Sequence, residues 1–311
     1  MSSLTLPEIA ARLAQQSPLL SAAKLAVKSR AMVACILRPG PRLVDSAEML
    51  LIRRAAREGD PWSGQTAFPG GRCDLEDGGC DLATVTREVQ EEIGLNLANE
   101  EHYRLLGRIR DLETFRSNRA VRMVVGCFVF EQLRPEPLEL AVNEVAACGW
   151  LPVAAVACAR EEDVKEVQWS IPNADPAYWY FRLLGLTEVT LPSLVVSLKD
   201  ATKASPDVEV TSLNLWGITM CFTQILTMDT SRALLPYRTV PIVGWRVPHI
   251  FNPLIHDLTF SLYRAACRKE DLTEHASGII LSYLRFFHCL CGAAAFTAAA
   301  GLSYLGIRSK L

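Results

Sequence analysis

The 311-residue sequence is short of the features that mark several common protein classes. There is no basic excess: 32 Lys and Arg stand against 34 Asp and Glu, a net charge of −2, which removes support for wholesale nucleic-acid binding. Paired cysteine spacing is also missing. Ten Cys are scattered, with only Cys289 and Cys291 close together, a usage that suits buried or free thiols in a reducing compartment better than a disulfide scaffold. Cys73 and Cys80 lack His or Cys neighbours at zinc-ligand spacing and read as packing residues. No apolar run with a small-residue cleavage site follows the start, so no secretory signal is expected. Acids are nearly absent before Asp45, where Arg12, Lys24, Lys28, Arg30, Arg38 and Arg42 stand, and this keeps a mitochondrial presequence as a minor alternative. No internal repeat is found, and the length suits one large or two ordinary domains.

What is present concentrates between Gly70 and Leu95. On an ideal helix from Asp81 to Ile93, at about 100° per residue, Leu82, Val85, Val89 and Ile93 share one arc of roughly 100° and form a core-facing stripe. Thr84, Arg87, Glu88, Glu91 and Glu92 fill a separate arc of about 140°, which gathers three carboxylates and one guanidinium within i,i+3 and i,i+4 reach. Asp81 is a candidate N-cap, and Gly94 stands where a left-handed residue would end the helix. Like charges at this spacing repel, and Arg87 offsets only part of that. Hard oxygen donors without His or thiolate suit Mg²⁺ or Mn²⁺, which would also draw in a phosphate ester. A solvated acidic face is the plain alternative.

Phe68-Pro69-Gly70-Gly71 precedes this helix by a loop, and Arg87-Glu88-Val89-Gln90-Glu91-Glu92-Ile93-Gly94-Leu95 resembles, position for position, the second half of the Nudix box, R-E-U-x-E-E-x-G-U with U aliphatic. The first half departs from it, because the loop from Gly71 to Arg87 is two residues longer than the strict form. Counting forward from Gly71 puts the first acid at Asp77, and counting back from Arg87 puts it at Gly79; Glu76, Asp77 and Asp81 are all open. Leu50-Leu51, Arg54-Ala55 and Gly64-Gln65-Thr66-Ala67-Phe68-Pro69-Gly70-Gly71 resemble the lead-in of the coenzyme A diphosphatase branch of that family, with a spacer one residue longer than usual. Further along, Asn143-Glu144-Val145 with Trp150-Leu151-Pro152, and Trp216-Gly217-Ile218-Thr219, resemble segments of the same branch, so the resemblance runs from about residue 31 to 228.

The resemblance implies an α/β Nudix fold, a mixed β-sheet sandwiched between helices (α/β/α). It implies that Glu88, Glu91 and Glu92 hold Mg²⁺ or Mn²⁺, joined by the Gly71 carbonyl, and that Arg87 orients the glutamates. Phosphates need cationic partners besides the metal, and Arg forks suit them. Candidates are Arg53, Arg54, Arg57 and Gln65 in the lead-in, with Arg110 among the downstream arginines Arg108, Arg110, Arg116, Arg119 and Arg122. Strand alternation places Arg108 and Arg110 on one face. Glu144 is a candidate to assist metal or water, or to cap a turn.

Around these motifs the apolar runs predict strands at Ala31–Leu37, Ala47–Arg53, Leu105–Leu112, Ala120–Phe130 and Val189–Ser197, and a helix at Val153–Val164. Residues 1–30 read as short helices, Leu6–Gln15 and Leu19–Lys28, and 229–311 as a helical extension. Within it, 286–307 runs 22 residues without Asp, Glu, Lys or Arg, long enough to span a bilayer yet alanine-rich, which fits equally a helix packed on the domain or a partner. Ser309-Lys310-Leu311 reads as a peroxisome address recognised by the import receptor. The expected activity is therefore hydrolysis of coenzyme A or acyl-coenzyme A in the peroxisome. Another nucleoside diphosphate derivative such as ADP-ribose, or a silent binding module, is the alternative.

Overall fold

The computed structural model describes residues 5–14, 29–40, 47–58, 60, 62–115, 121–170 and 188–227. The expected helix at Leu19–Lys28, Arg116, Arg119, 286–307 and the Ser-Lys-Leu tail lie outside the described residues. Among the described residues no helix is long and apolar enough to cross a membrane.

Strands β1 (Arg30–Arg38), β2 (Glu48–Arg54), β6 (Val121–Gln132) and β7 (Val145–Pro152) form the centre of a mixed sheet of order β10-β7-β2-β1-β6-β5. Here β5 is Tyr103–Phe115 and β10 is Lys199–Lys203. β1 runs parallel to β6, with Val33 opposite Cys127, and antiparallel to β2, with Leu37 opposite Met49. Near-continuous apolar runs belong to strands buried on both faces, and the side-chain period of two divides them cleanly. Cys35, Leu37, Met49, Leu51, Cys127 and Val129 enter one core; Met32, Ala34, Ile36, Leu50, Ile52, Phe128 and Phe130 enter the other.

The first core is covered by α1 (Leu6–Ala14), through Ile9 and Leu13, and by α4 (Gly217–Thr227), through Met220, Phe222 and Leu226. A second, three-stranded sheet packs there too: β8 (Val164–Ser170), β9 (Glu188–Val196) and β11 (Leu213–Trp216), in the order β11-β9-β8. The opposite core is covered by α2 (Asp81–Ile93), through Val85, Val89 and Ile93. Helices on both faces of a mixed sheet are the α/β/α arrangement that the resemblance implied.

One edge of β1 is divided between two partners. Its end at Leu37–Arg38 pairs β2, whereas Ala31–Val33 pairs β4 (Gly70–Arg72), with Met32 opposite Gly71. The short β3 (Thr66–Ala67) pairs β2 instead. The sheet thus splays beside β4, and α2 lies next to the opening.

Two expectations need correction. The helix expected at Val153–Val164 is only one turn long, α3 (Ala154–Ala157), followed by a 3₁₀ turn at Glu161–Asp163. The Asp163 carboxylate accepts the Arg160 N–H (2.8 Å), closing the chain into a turn, and pairing of β8 with β9 claims Val164 onward. Arg108 and Arg110 also do not share a face. The β5–β6 register shifts between Ile109 and Leu112, and a bulge of this kind puts Asp111 beside Arg108 instead (2.6 Å).

Candidate active site

Helix α2 begins differently from expectation. Its N-cap is Cys80, which makes no side-chain capping bond and is exposed rather than packed, unlike buried Cys73. Asp81 is already helical, and its carboxylate is drawn to two guanidiniums, those of Arg30 and Arg108 (2.7 Å to Arg108). Charge-assisted pairs with two arginines outcompete a single bond to backbone N–H. The C-terminus follows expectation: Gly94 is left-handed (φ 79°), and its N–H donates to the Gln90 carbonyl. Two more terminal carbonyls are met from outside, since Glu139 N–H donates to Ile93 (3.0 Å) and Ala141 N–H to Glu92 (2.9 Å). The segment after β6 is thereby fastened to the helix end.

The burial of α2 differs from the simple stripe in two ways. Leu82 is partly exposed at the first turn, and Thr84 and Glu92 are buried. Glu92 is 3 % exposed because it turns toward β4, where Gly70 N–H donates to its Oε2 at 2.8 Å. Glu88 lies directly over Gly71, so close that a Cβ there would collide with its carboxylate. Gly70 has φ +140°, and a Cβ on it would strike the Met32 carbonyl. The Gly-Gly pair therefore lets two carboxylates lie against a strand backbone.

Both acids have raised pKa values, and burial is the first cause in each. Burial pushes Glu92 up to about 7; the Gly70 N–H and the Arg54 charge oppose this, while Glu88 and Glu144 add to it. Burial likewise raises Glu88, against the pull of Arg87. Uncompensated carboxylates this close favour a bound cation or proton.

Of the three acids open for the first position, Asp77 is the one bound to Arg87. Asp77 is buried, and its two oxygens accept Nε (2.8 Å) and Nη2 (3.0 Å) of Arg87, the Thr84 hydroxyl (2.8 Å) and the Asp74 N–H (2.7 Å). The Arg87 hydrogen bonds hold the Asp77 carboxyl well below the usual carboxylate range. Glu76 is exposed and Asp81 is engaged elsewhere. Arg87 keeps one edge for Glu88 (3.1 Å) and Glu91 (3.0 Å). Glu91, whose side chain is 59 % exposed, sits on the rim, turned toward Arg87. Among the described residues, no three of His, Cys, Asp and Glu converge as a ready-made metal cage. Glu88 and Glu92 nonetheless supply hard oxygens whose charge is poorly compensated, which fits a divalent cation.

The candidate substrate residues separate. Arg54 is placed so that its charge acts on Glu92, and it pairs with Asp60 (3.3 Å). Arg57 reaches the Asn143 carbonyl (2.8 Å) and the Glu144 carboxylate (3.0 Å), and Glu144 in turn acts on both Glu88 and Glu92. The backbone of Gln65 accepts the Arg54 N–H (2.9 Å). Arg53, one residue out of phase on β2, points elsewhere and donates to the Glu209 carbonyl (2.6 Å). Arg110 lies where its charge acts on Cys221 of α4, across the sheet from α2. The structure thus brings Arg54, Arg57 and Glu144 to the acids, and does not bring Arg53 or Arg110. Asp60, which holds Arg54, was not singled out in the sequence; its only signal was its place in the lead-in loop.

Residues 28–170 match the family model of the NUDIX domain. A curated relative in Schizosaccharomyces pombe, an uncharacterized protein, is 36% identical over 108 residues, 34% of this chain and 32% of its own length. Another, the peroxisomal coenzyme A diphosphatase ndx-8 of Caenorhabditis elegans, is 34% identical over 91 residues, 29% of this chain and 36% of its own length. The chain thus covers about a third of each relative. The crystal structure of a Nudix hydrolase from M. smegmatis, RenU, is 19% identical and overlays with a TM-score of 0.33, covering 51% of this chain and 85% of that one.

Proposed function

We propose that the chain is a divalent-metal-dependent diphosphatase that hydrolyses coenzyme A and acyl-coenzyme A to adenosine 3′,5′-bisphosphate and (acyl-)4′-phosphopantetheine. The observation that carries the proposal is the clamping of Glu88 and Glu92 against the Gly70-Gly71 strand, with Arg54, Arg57 and Glu144 on the same side. A buried Glu92 beside a half-buried Glu88 is costly to fold around unless the two serve a charge-bearing ligand. The name of the nematode relative and the lead-in residues Gly64 to Gly71 favour coenzyme A among diphosphates.

In this reading Glu88, Glu91 and Glu92, with the Gly71 carbonyl, hold Mg²⁺ or Mn²⁺, which when bound polarises a phosphate and acidifies a water. Glu92 is aimed by the Gly70 N–H, and Glu88 by Arg87 and the bare Gly71 surface. Glu91 is held at the rim by Arg87, which Asp77 fixes in turn. Arg54 and Arg57 meet the substrate phosphates, and Glu144 accepts the proton of the attacking water. Water adds to one phosphorus and the bridging P–O bond breaks, releasing two phosphomonoesters. A peroxisomal location belongs to the same proposal and rests on the relative's name; co-localisation of the tagged full chain with a matrix marker checks it.

The test is product analysis of the purified chain on coenzyme A, with and without divalent cation, beside ADP-ribose. Release of adenosine 3′,5′-bisphosphate that stops on chelation is expected. A clear preference for ADP-ribose would move the proposal to another diphosphate, and loss of all turnover would leave the silent-module alternative. Glu91→Gln and Glu92→Gln are expected to abolish activity with the fold intact.

A further inference from the structure

Among the large apolar side chains exposed on the described residues, Trp62 is the one aromatic ring. It lies in the segment that leaves β2 after Arg54 and returns at Gln65, and three observations make it more than a stray surface residue. First, it is tied to the arginines. The Asp60 carboxylate accepts the Trp62 N–H on one oxygen (2.9 Å) and Arg54 Nη2 on the other (3.3 Å). Second, the next residue is bound to Arg57: the Arg57 N–H donates to the Ser63 hydroxyl (2.9 Å), while its guanidinium reaches Asn143 and Glu144. Third, the ring is backed. Trp216, itself buried at the end of β11, sits with its centroid 6.4 Å away and its plane tilted by 36°.

An indole supported from behind presents a preformed flat surface, 39 % exposed in total, at little conformational cost. Beside it stand two guanidiniums suited to phosphate. A second exposed apolar side chain, Val142, precedes Asn143, whose carbonyl accepts from Arg57. This combination, an aromatic face one carboxylate away from phosphate-binding groups, matches a nucleotide with its base and its diphosphate engaged together.

We propose that Trp62 is the platform on which the purine of the substrate stacks while Arg54 and Arg57 take its phosphates. This rests on reading the site as one for a nucleoside diphosphate derivative. Trp62 then decides that the ligand carries a base, whereas the acids and arginines alone would accept any diphosphate.

The probes are a matched pair that cannot be hydrolysed at the P–C–P link, α,β-methylene-ADP, which has the base, and methylenediphosphonate, which lacks it. Each is titrated calorimetrically into the full chain with Mg²⁺. The unmodified chain is expected to bind the base-bearing probe more tightly. Trp62→Ala is expected to weaken α,β-methylene-ADP about tenfold, the scale of one lost base–aromatic stack. Methylenediphosphonate should be unaffected, and Trp62→Phe should keep the base-bearing probe within about threefold of the unmodified chain. Equal weakening of both probes, no change in either, or no base preference in the unmodified chain overturns the assignment. If the base effect is found but no diphosphate is turned over, the catalytic reading fails and the platform stands. If coenzyme A is turned over and Trp62→Ala changes neither affinity, only the platform fails.

Discussion

Replacing Asp77 by Asn tests whether this acid secures the whole acidic helix. Its carboxylate accepts two bonds from Arg87, one from Thr84 and one from the Asp74 N–H, all from a buried position. An amide keeps one acceptor oxygen and loses the charge. Removing one partner of a buried pair costs about 3–5 kcal/mol. Because the Arg87 side chain is 27 % exposed and can regain water, the cost falls below that range, and we expect about 2–3 kcal/mol at pH 7. In a domain of this size that lowers Tm by about 4–12 °C.

The pH dependence supplies a second signature. The folded Asp77 carboxyl lies below its ordinary value of 3.8, so its stabilisation is fully present above that pH and is lost as pH falls through the folded pKa. The gap between the unmodified chain and Asp77→Asn should therefore be constant from pH 5 to 7 and shrink below about 4. Urea titration monitored by tryptophan fluorescence at several pH values reads both effects. Glu76→Gln, at an exposed position, is the control and should stay within about 0.5 kcal/mol. A loss under about 0.5 kcal/mol for Asp77→Asn, or equal losses for the two variants, would refute the assignment of Asp77 as the anchor of Arg87.

Three further outcomes are expected. Mg²⁺ should raise the Tm of the unmodified chain, by an amount equivalent to about 2.7 kcal/mol at one hundred times its dissociation constant, and should leave a Glu88→Gln/Glu92→Gln variant unmoved in differential scanning fluorimetry. Gly70→Ala should cost about 3 kcal/mol or more, because its φ of +140° and the Met32 carbonyl leave no room, whereas Gly71→Ala meets only the movable end of Glu88 and should fold but lose turnover; circular dichroism melts paired with activity separate the two. Arg54→Ala should raise KM for coenzyme A at least tenfold and Arg110→Ala should not, a contrast that steady-state kinetics will read directly.

Much of this layout was legible in the sequence. The apolar runs of β1 and β2, the acidic arc of α2 and the left-handed Gly94 all follow from local chemistry, and local chemistry is what spacing encodes. The failures share a different cause. Asp81 seemed a cap until two arginines from β1 and β5 competed for it, partners that no local window contains. Arg110 lost its expected face to a bulge, which a regular alternation cannot foresee. Arg53 and Arg54 are neighbours in sequence and part in space because successive strand residues point opposite ways; the motif marks both, and only the register shows which one faces Glu92. The three-stranded sheet was missed except for β9, since its pairing joins segments far apart in the chain.

The two loops that frame the acids differ in how much change they can absorb. In the one between Cys73 and Cys80 the main-chain bonds are local turns and a single side chain, Asp77, ties the loop to Thr84 and Arg87 of α2, so extra length can bow outward there once that carboxylate finds its guanidinium. The one from Glu139 to Glu144 is stitched by main-chain donors to the final turn of α2 and by the Glu144 carbonyl to Ala55, leaving no slack. Variation in length among kindred proteins should accumulate in the first loop and be purged from the second.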